Sequence, residues 1–304
     1  MDRQKVLAIV GPPGIGKTSL SVWLAKQLDG EIISCDSMQV YKKMDIGTAK
    51  VTQEEMQGIH HELIDVQNYN EPYNVKVFQE KCRTAIEDVV KRGKFPILCG
   101  GTGLYLKAAL YDYEFQEENE DIAYTTFLNS KTNEELVAML KEKDEKALEK
   151  IHPNNRKRLI RALQICHSGT SKSEQEDKQQ HIPLYDVYFL GLDVNREILH
   201  DRINKRVDIM FENGLVKEVE DLFTNPETWE YTSFQGIGYK EFKDYFLKEK
   251  SIDEVKTAIK THSRQYAKRQ YTWFKNQMPV HWFEAQNRDE IYSAVKEWLM
   301  DEDK

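Results

Sequence analysis

The chain has 304 residues, of which 40% are hydrophobic, and its formal net charge is −8. This apolar fraction suffices for one large domain or two modest ones, and 15 Tyr, 12 Phe and 5 Trp indicate packed cores rather than a disordered chain. No apolar run approaches the roughly 18 residues that a membrane helix needs, so we expect a cytoplasmic protein without membrane contact. An acidic chain is on average a poor nucleic-acid binder, but the distribution of its Lys and Arg residues matters more than the net charge.

Cysteine spacing gives no sign of a metal site. The four cysteines are Cys35, Cys82, Cys99 and Cys166, and no two of them form a C-x-x-C pair. Because a free cysteine behaves as a small hydrophobe, we expect reduced, mostly buried thiols and no zinc.

The N-terminal third alternates between short apolar runs and helical patterns. Strands are predicted over residues 5–10, 31–34 and 95–99, and helices over Ser19–Leu28 and residues 75–92. This alternation predicts an α/β fold with a parallel sheet.

Ligands of parallel sheets bind beyond the carboxyl ends of the strands. The pattern places three loops there: Gly11–Thr18, Cys35–Tyr41 and Gly100–Tyr105. We expect Asp36, in the second loop, to end a strand that lies next to the strand before the first loop.

The composition changes near residue 112. Asp112–Asp121 carries six acids and no base, and charged helical patterns follow it. We therefore predict a mostly helical insertion domain over residues 112–183, within a core formed by residues 1–111 and 184–304.

Within the insertion, Thr132 and Glu135 have the spacing of a capping box and predict a helix that runs to about Ile151. A second helix is predicted over residues 156–167. The polar residues 168–181 predict a mobile loop.

The C-terminal part begins with a buried strand at 187–193, followed by predicted helices over 195–223, 238–249 and 252–276. Lys256–Lys275 carries six bases and no acid. A basic stripe of this kind suits the backbone of an RNA. Its members are Lys260, Arg264, Lys268 and Tyr271.

The first loop, Gly11–Thr18, fits the P-loop pattern G-x-x-x-x-G-K-[ST] in the required strand–loop–helix context, so we predict a P-loop NTPase-like parallel sheet core. Its glycines let backbone N–H groups surround a phosphate, Lys17 adds a point charge, and Thr18 can ligate Mg²⁺. The motif does not identify the phosphate compound, and a nucleotide kinase is the default. The predicted phosphate-binding residues are Gly11, Pro12, Pro13, Gly14, Ile15, Gly16, Lys17 and Thr18.

Asp36 argues against that default. A carboxylate at this edge of the sheet can coordinate magnesium or act as a base. The residues alone leave both roles open.

Four segments together resemble the bacterial tRNA dimethylallyltransferases, also called tRNA isopentenyltransferases. They are Asp36–Lys50, Gly100–Tyr105, His152–Leu163 and Gly236–Tyr239. The resemblance runs in order from about residue 5 to residue 283.

The resemblance implies a transfer rather than a hydrolysis. In that family the P-loop and Mg²⁺ hold the pyrophosphate of dimethylallyl diphosphate, and the acceptor is N6 of adenosine 37, which is flipped out of the anticodon loop. The catalytic aspartate corresponds to Asp36. Lys17 and Arg206 correspond to cations that stabilise the leaving group, and the Thr102 hydroxyl contacts the tRNA or the leaving group.

The resemblance also implies contacts with the anticodon stem-loop. Three departures from the family pattern occur: Lys157 replaces the first member of a Gln–Arg pair, Tyr124 lies near the position of an arginine, and Pro13–Ile15 replaces Thr-Ala-Ser. The implied tRNA-binding residues are Asp36, Ser37, Met38, Gln39, Thr102, Tyr124, Lys157, Arg158, Leu159, Ile160, Arg161, Gln235, Gly236, Ile237, Gly238, Tyr239 and Lys240.

Three alternatives remain open. An adenylate isopentenyltransferase would not need the segments at 157–161 and 235–240. A P-loop kinase would need a nucleoside-binding motif and a lid arginine, and a non-catalytic tRNA-binding switch would not need Asp36. The sequence does not fix the oligomeric state, and we expect a monomer.

Overall fold

A computed structural model provides the structure and describes residues 3–115, 121–174 and 181–301. The chain divides into two compact units, of which the first is Met1–Tyr111 with Pro183–Lys304 and the second is Asp112–Ile182. Where the chain leaves and re-enters the first unit, Tyr111 and Pro183 form an antiparallel bridge.

The first unit is built on a six-stranded sheet in which all paired strands are parallel. This confirms the predicted α/β class. The strand order is β3-β2-β4-β1-β5-β6. The strands are β1 (Lys5–Val10), β2 (Gly30–Ser34), β3 (His61–Glu62), β4 (Phe95–Gly100), β5 (Asp186–Asp193) and β6 (Val280–Glu284).

The helices of the first unit are α1 (Lys17–Leu28), α2 (Gln53–Met56), α3 (Val75–Lys91), α4 (Gly103–Leu110), α8 (Arg196–Glu212), α9 (Leu215–Leu222), α10 (Lys243–Phe246), α11 (Ile252–Gln277) and α12 (Arg288–Met300). The second unit contains α5 (Ile122–Asn129), α6 (Asn133–Asp144) and α7 (Arg156–His167). Within the described ranges, no helix combines the length and the apolar character that crossing a bilayer requires.

Side-chain alternation along β1 explains the two cores of the first unit. Val6, Ala8 and Val10 belong to one buried cluster, and Leu7 and Ile9 belong to another. Successive residues of a strand point to opposite faces of the sheet, so both faces are covered. The C-terminal edges of the strands, where the three loops lie, remain available for a site.

The expected position of Asp36 needs a correction. β4 pairs with both β1 and β2, so the strand before Asp36 is separated from the strand before the P-loop. Chain order does not fix strand order in such sheets, because a crossover connection can leave room for a later strand.

Two long predicted helices are interrupted. The helix predicted over residues 195–223 breaks after α8, since Gly214 has a φ of 97° in the left-handed region and starts α9. The helix predicted over residues 238–249 is replaced by a 3-10 turn at Lys240–Phe242 and the short α10. Gly238, at the predicted start, has a φ of 99° and therefore lies outside any helix.

In the second unit, the capping box at the start of α6 has the predicted geometry. Thr132 N donates to Glu135 Oε2 at 2.7 Å, and Glu135 N donates to Thr132 Oγ1 at 3.2 Å. α6 is shorter than predicted, because Asp144 caps a separate 3-10 turn at Glu145–Glu149. Of the loop predicted to be mobile, residues 175–180 lie outside the described residues.

Replacing Gly103 with alanine is expected to lower the free energy of unfolding by about 1–3 kcal/mol, the usual cost of overpacking. Gly103 is the first residue of α4, where alanine is normally the better helix former, but a Cβ there would overlap the Trp273 ring. Denaturant unfolding measures the change. The double variant Gly103→Ala/Trp273→Leu should lose less than the sum of the single variants; a stabilised Gly103→Ala protein would contradict the close packing.

Candidate active site

The P-loop connects β1 to α1 and carries three glycines with positive φ. These are Gly11 at 146°, Gly14 at 77° and Gly16 at 103°. A Cβ at Gly11 would lie 3.3 Å from the Leu192 carbonyl oxygen, so the loop also packs closely on the end of β5. The backbone thus takes the concave course that presents N–H groups to an anion.

Lys17 points back into its own loop. Its Nζ donates to the carbonyl oxygens of Gly11 and Pro12, both at 2.8 Å. Burial lowers the pKa of Lys17 to about 8; the positive charge of Arg206 acts in the same direction, and the carboxylate of Asp36 opposes it.

Asp36 follows β2 and is fixed by its own turn. Its Oδ1 accepts hydrogen bonds from Met38 N at 2.8 Å and from Gln39 N at 3.3 Å. Both bonds hold the carboxylate in one orientation, and Oδ2 is the oxygen that can meet a ligand. Ser37 is half-buried in the same turn.

Arg206 reaches the site from α8. Its Nη2 donates to the Ala49 carbonyl oxygen at 3.2 Å. Burial lowers the pKa of Arg206 from its usual value, and the charge of Asp36 acts against that shift. Arg202, one turn earlier, is exposed and lies beside Gly14. The structure therefore brings Lys17, Asp36 and Arg206 into one electrostatic cluster.

Thr102 follows β4 and precedes α4, and its hydroxyl lies near the Tyr266 phenol, where it acts to lower the pKa of that group. Burial raises the pKa of Tyr266, and the charge of Asp36 raises it further. Beside this contact, Gln270 Nε2 donates to the Gly101 carbonyl oxygen at 2.8 Å. Thr102 thus belongs to the same cluster as Asp36.

Tyr266 and Gln270 also lie at the site, although no sequence motif marks them. They lie four residues apart on α11, and that spacing places them on one face of the helix. The basic residues of the stripe on α11 lie on a different face of this helix. There Lys256 and Lys260 each form an ion pair with Asp208 of α8 at 2.7 Å, and Arg264 bonds Asn204. These three side chains hold α8 and α11 together, so the two that belong to the stripe, Lys260 and Arg264, are not presented freely to an RNA.

The segment Gln235–Lys240 lies in the first unit between two 3-10 turns. The side chains of Gln235 and Lys240 are exposed, whereas Tyr239 is fully buried. Gly236 packs against Met38, where a Cβ would overlap the methionine side chain, and Ile237 is half-buried. Tyr239 and Gly238 therefore have packing roles, whereas the side chains of Gln235 and Lys240 remain accessible.

In the second unit, α7 carries the other group of predicted RNA-binding residues. Lys157, Arg158 and Arg161 are exposed, Ile160 is half-buried, and Leu159 is fully buried in the core. The Leu159 side chain therefore packs and does not reach a ligand.

Tyr124 is also engaged within the second unit. Its ring stacks on His167 with a centroid distance of 3.9 Å and an interplanar angle of 13°. His167 covers one ring face and Lys143 Nζ lies 5.9 Å from the ring centroid, so both contacts would compete with the tRNA contact that the resemblance implies for Tyr124.

Metal binding was expected at Thr18. The hydroxyl of this residue lies in the first turn of α1, directly after Lys17, and the side chain is half-buried. Hydroxyl and carboxylate oxygens are hard donors of the kind that Mg²⁺ prefers. The residues present at the P-loop fit such an ion.

The sequence matches the family described as IPP transferase over residues 39–277. It is 49% identical to a tRNA dimethylallyltransferase of Bacillus anthracis over 301 residues, which cover 97% of this chain and 96% of the relative. A tRNA dimethylallyltransferase of Bacillus cereus is 48% identical, with 97% and 95% covered.

Two solved structures are also similar. The full-length tRNA isopentenylpyrophosphate transferase of Bacillus halodurans superposes with a TM-score of 0.75 at 41% identity, covering 98% of this chain and 97% of that one. A eukaryotic dimethylallyltransferase, described as acting on tRNA, has a TM-score of 0.83 at 31% identity and covers 98% of this chain and 79% of its own.

Proposed function

The chain belongs to the IPP transferase family, and from this we propose that it transfers the dimethylallyl group of dimethylallyl diphosphate to N6 of adenosine 37 in tRNAs that read codons beginning with U. The observation that carries the proposal is the cluster of Lys17, Arg206 and Asp36 at the carboxyl ends of the strands. Two cations suited to a leaving pyrophosphate lie beside one carboxylate suited to an amine.

The P-loop would bind the diphosphate through its backbone N–H groups and the N-terminus of α1. Lys17 would exchange its bonds to Gly11 and Pro12 for a phosphate oxygen, and Arg206 would approach the same group from α8. As the carbon–oxygen bond breaks, negative charge grows on pyrophosphate. Donors placed at developing charge contribute about 10²–10³-fold each.

Asp36 would act on the acceptor. Adenine N6 is a weak nucleophile because its lone pair is delocalised into the ring. A hydrogen bond from N6–H to the Asp36 carboxylate orients the amine. As the N6–carbon bond forms, the N6 proton passes to the carboxylate and pyrophosphate leaves with the electrons of the broken bond.

We propose Mg²⁺ as the metal ion, held by the Thr18 hydroxyl and by the diphosphate itself. When bound, it would neutralise the charge of the leaving pyrophosphate. Thr102 and Tyr266 would lie beside the acceptor and keep the Asp36 carboxylate in a protein-lined environment.

Each unit offers its own surface to the RNA. Of the predicted tRNA-binding residues, Gln235 and Lys240 are exposed in the first unit, and Lys157, Arg158 and Arg161 are exposed in the second. The cationic side chains among them suit phosphates, which fix register and carry no sequence information by themselves. The arrangement favours a tRNA acceptor over a free nucleotide, because an adenylate isopentenyltransferase needs neither surface.

The test incubates the protein and Mg²⁺ with labelled dimethylallyl diphosphate and one of three acceptors: unmodified tRNA, AMP or ATP. We expect label in tRNA, recovered after digestion as N6-dimethylallyl adenosine. The same tRNA with guanosine in place of adenosine 37 is the matched control and should stay unlabelled. Label only in a nucleotide, or ATP turnover without transfer, would overturn the proposal.

A further inference from the structure

Glu218 on α9 binds a row of backbone groups in a neighbouring loop. Its Oε2 accepts from Asp45 N at 2.9 Å and Ile46 N at 2.7 Å, and its Oε1 accepts from Gly47 N at 3.0 Å. Tyr239 Oη donates to the same Oε1 at 2.7 Å. Consecutive N–H groups of this kind form a concave anion site, and here a side chain of the same protein fills it.

The loop held by Glu218 leads to the active site. Lys50 N donates to Asp45 O and Ala49 N to Ile46 O, both at 2.9 Å, so the residues bound by Glu218 are tied directly to the far end of the loop. The Ala49 carbonyl oxygen at that end accepts from Arg206 Nη2 at 3.2 Å.

The same carbonyl also links Arg206 to the turn of the catalytic aspartate. Gln39 Nε2 donates to Ala49 O at 3.1 Å, and Gln39 N donates to Asp36 Oδ1 at 3.3 Å. One short chain of hydrogen bonds therefore runs from Glu218 through the loop to both Arg206 and Asp36.

On its other side, Glu218 holds the segment Gln235–Lys240. A Cβ at Gly47 would lie 2.6 Å from Tyr239 Cζ, and a Cβ at Gly238 would lie 2.9 Å from the Gly47 carbonyl oxygen. Burial and the charge of Glu218 raise the pKa of Tyr239 well above its usual value, so the phenol stays protonated and donates. The loop and the segment are thus locked together at this carboxylate.

We propose that Glu218 is a positioning residue that aligns Arg206 with the leaving pyrophosphate and fixes the Gln235–Lys240 segment for the tRNA. This inference rests on the function proposed above. In this role Glu218 acts through the loop that it binds and not through a direct contact with a substrate.

The first test replaces Glu218 with glutamine. The amide keeps the volume but has one acceptor oxygen in place of two, and its NH₂ group would face donors. We expect kcat/KM for dimethylallyl diphosphate to fall about 10–100-fold, the cost of a misplacement near 1 Å, and KM for tRNA to rise. Glu220→Gln, an exposed change on the same helix, is the matched control and should behave like the unaltered protein.

A double-mutant cycle separates positioning from a general loss of structure. If Glu218 acts through Arg206, the variant Glu218→Gln/Arg206→Gln should lose little more kcat/KM for the diphosphate than Arg206→Gln alone. The rise in tRNA KM should accompany Glu218→Gln and be absent from Arg206→Gln. Additive losses, or a Glu218→Gln enzyme with unaltered kinetics, would overturn the proposal.

Two further measurements keep the outcome decisive. If Glu218→Gln does not fold, Tyr239→Phe serves in its place, because it removes only one of the four hydrogen bonds that the Glu218 carboxylate accepts. We expect a smaller rise in KM for tRNA in this variant. An unaltered KM for tRNA would count against the proposal. Failure of the unaltered protein to label tRNA would instead refute the proposed function, which separates the two inferences.

Discussion

Replacing Asp36 with asparagine is expected to lower the rate of transfer by about 10²–10⁴-fold, the usual contribution of a general base. Asparagine keeps an oxygen that can accept from Met38 N and Gln39 N, so the turn retains its shape. The variant loses only the charge and the ability to take the N6 proton. Single-turnover transfer measures the rate, and a titration with unmodified tRNA measures binding.

The affinity for tRNA is the control in that experiment, since it should change far less than the rate. Asp36→Ala removes the acceptor for both backbone bonds as well, and we expect it to lose some tRNA affinity in addition. A loss of affinity in Asp36→Asn as large as the loss of rate would assign Asp36 to binding instead of catalysis.

Replacing Lys17 with methionine is expected to reduce kcat by about 10²–10³-fold, because the ammonium group meets charge that develops on the leaving group. Methionine keeps the length and the apolar stem of the side chain. Steady-state rates over a range of dimethylallyl diphosphate concentrations measure the effect, and unaltered kcat would exclude Lys17 from the transition state.

The pH dependence gives a second readout of the same residue. Burial lowers the pKa of Lys17 to about 8, so the amine of the free enzyme loses its charge as the pH rises through that value. Since kcat/KM reports ionisations of the free enzyme, kcat/KM for the diphosphate should fall above about pH 8. The residual activity of Lys17→Met should lack this alkaline limb; an identical limb in the variant would assign it to another group.

Local sequence patterns were sufficient for much of the fold. β1, α1 and β4 follow from short apolar runs, helical spacing and glycines, which are properties of a few neighbouring residues. The family assignment, made from four ordered motifs, is confirmed. The prediction that three loops meet at the carboxyl ends of parallel strands is also confirmed.

Features that depend on distant contacts were missed. β3 has two residues and β6 lies at the sheet edge, so neither has a pattern that distinguishes it from a loop. The separation of β1 from β2 depends on where β4 inserts, which chain order does not encode.

The same limit applies to the site. Asp36 and Lys17 stand in motifs, whereas Tyr266 and Glu218 stand on ordinary amphipathic helices and matter only through partners far away in the sequence. Conversely, the run of basic residues that includes Lys256 and Lys260 suggested an RNA surface. Their acidic partner Asp208 lies on another helix, so the sequence around the lysines does not reveal the ion pairs.

The bridge between Tyr111 and Pro183 brings together the two points at which the second unit is inserted into the first. Leu184 N donates to Leu110 O at 2.9 Å, and Asp112 N donates to Ile182 O at 3.0 Å, so the two ends of the insertion leave the sheet domain side by side. A turn of about two residues spans such a gap, and the entropy of closing a loop grows slowly with its length. Evolution can therefore lengthen, exchange or remove the whole second unit without reordering a single strand of the sheet.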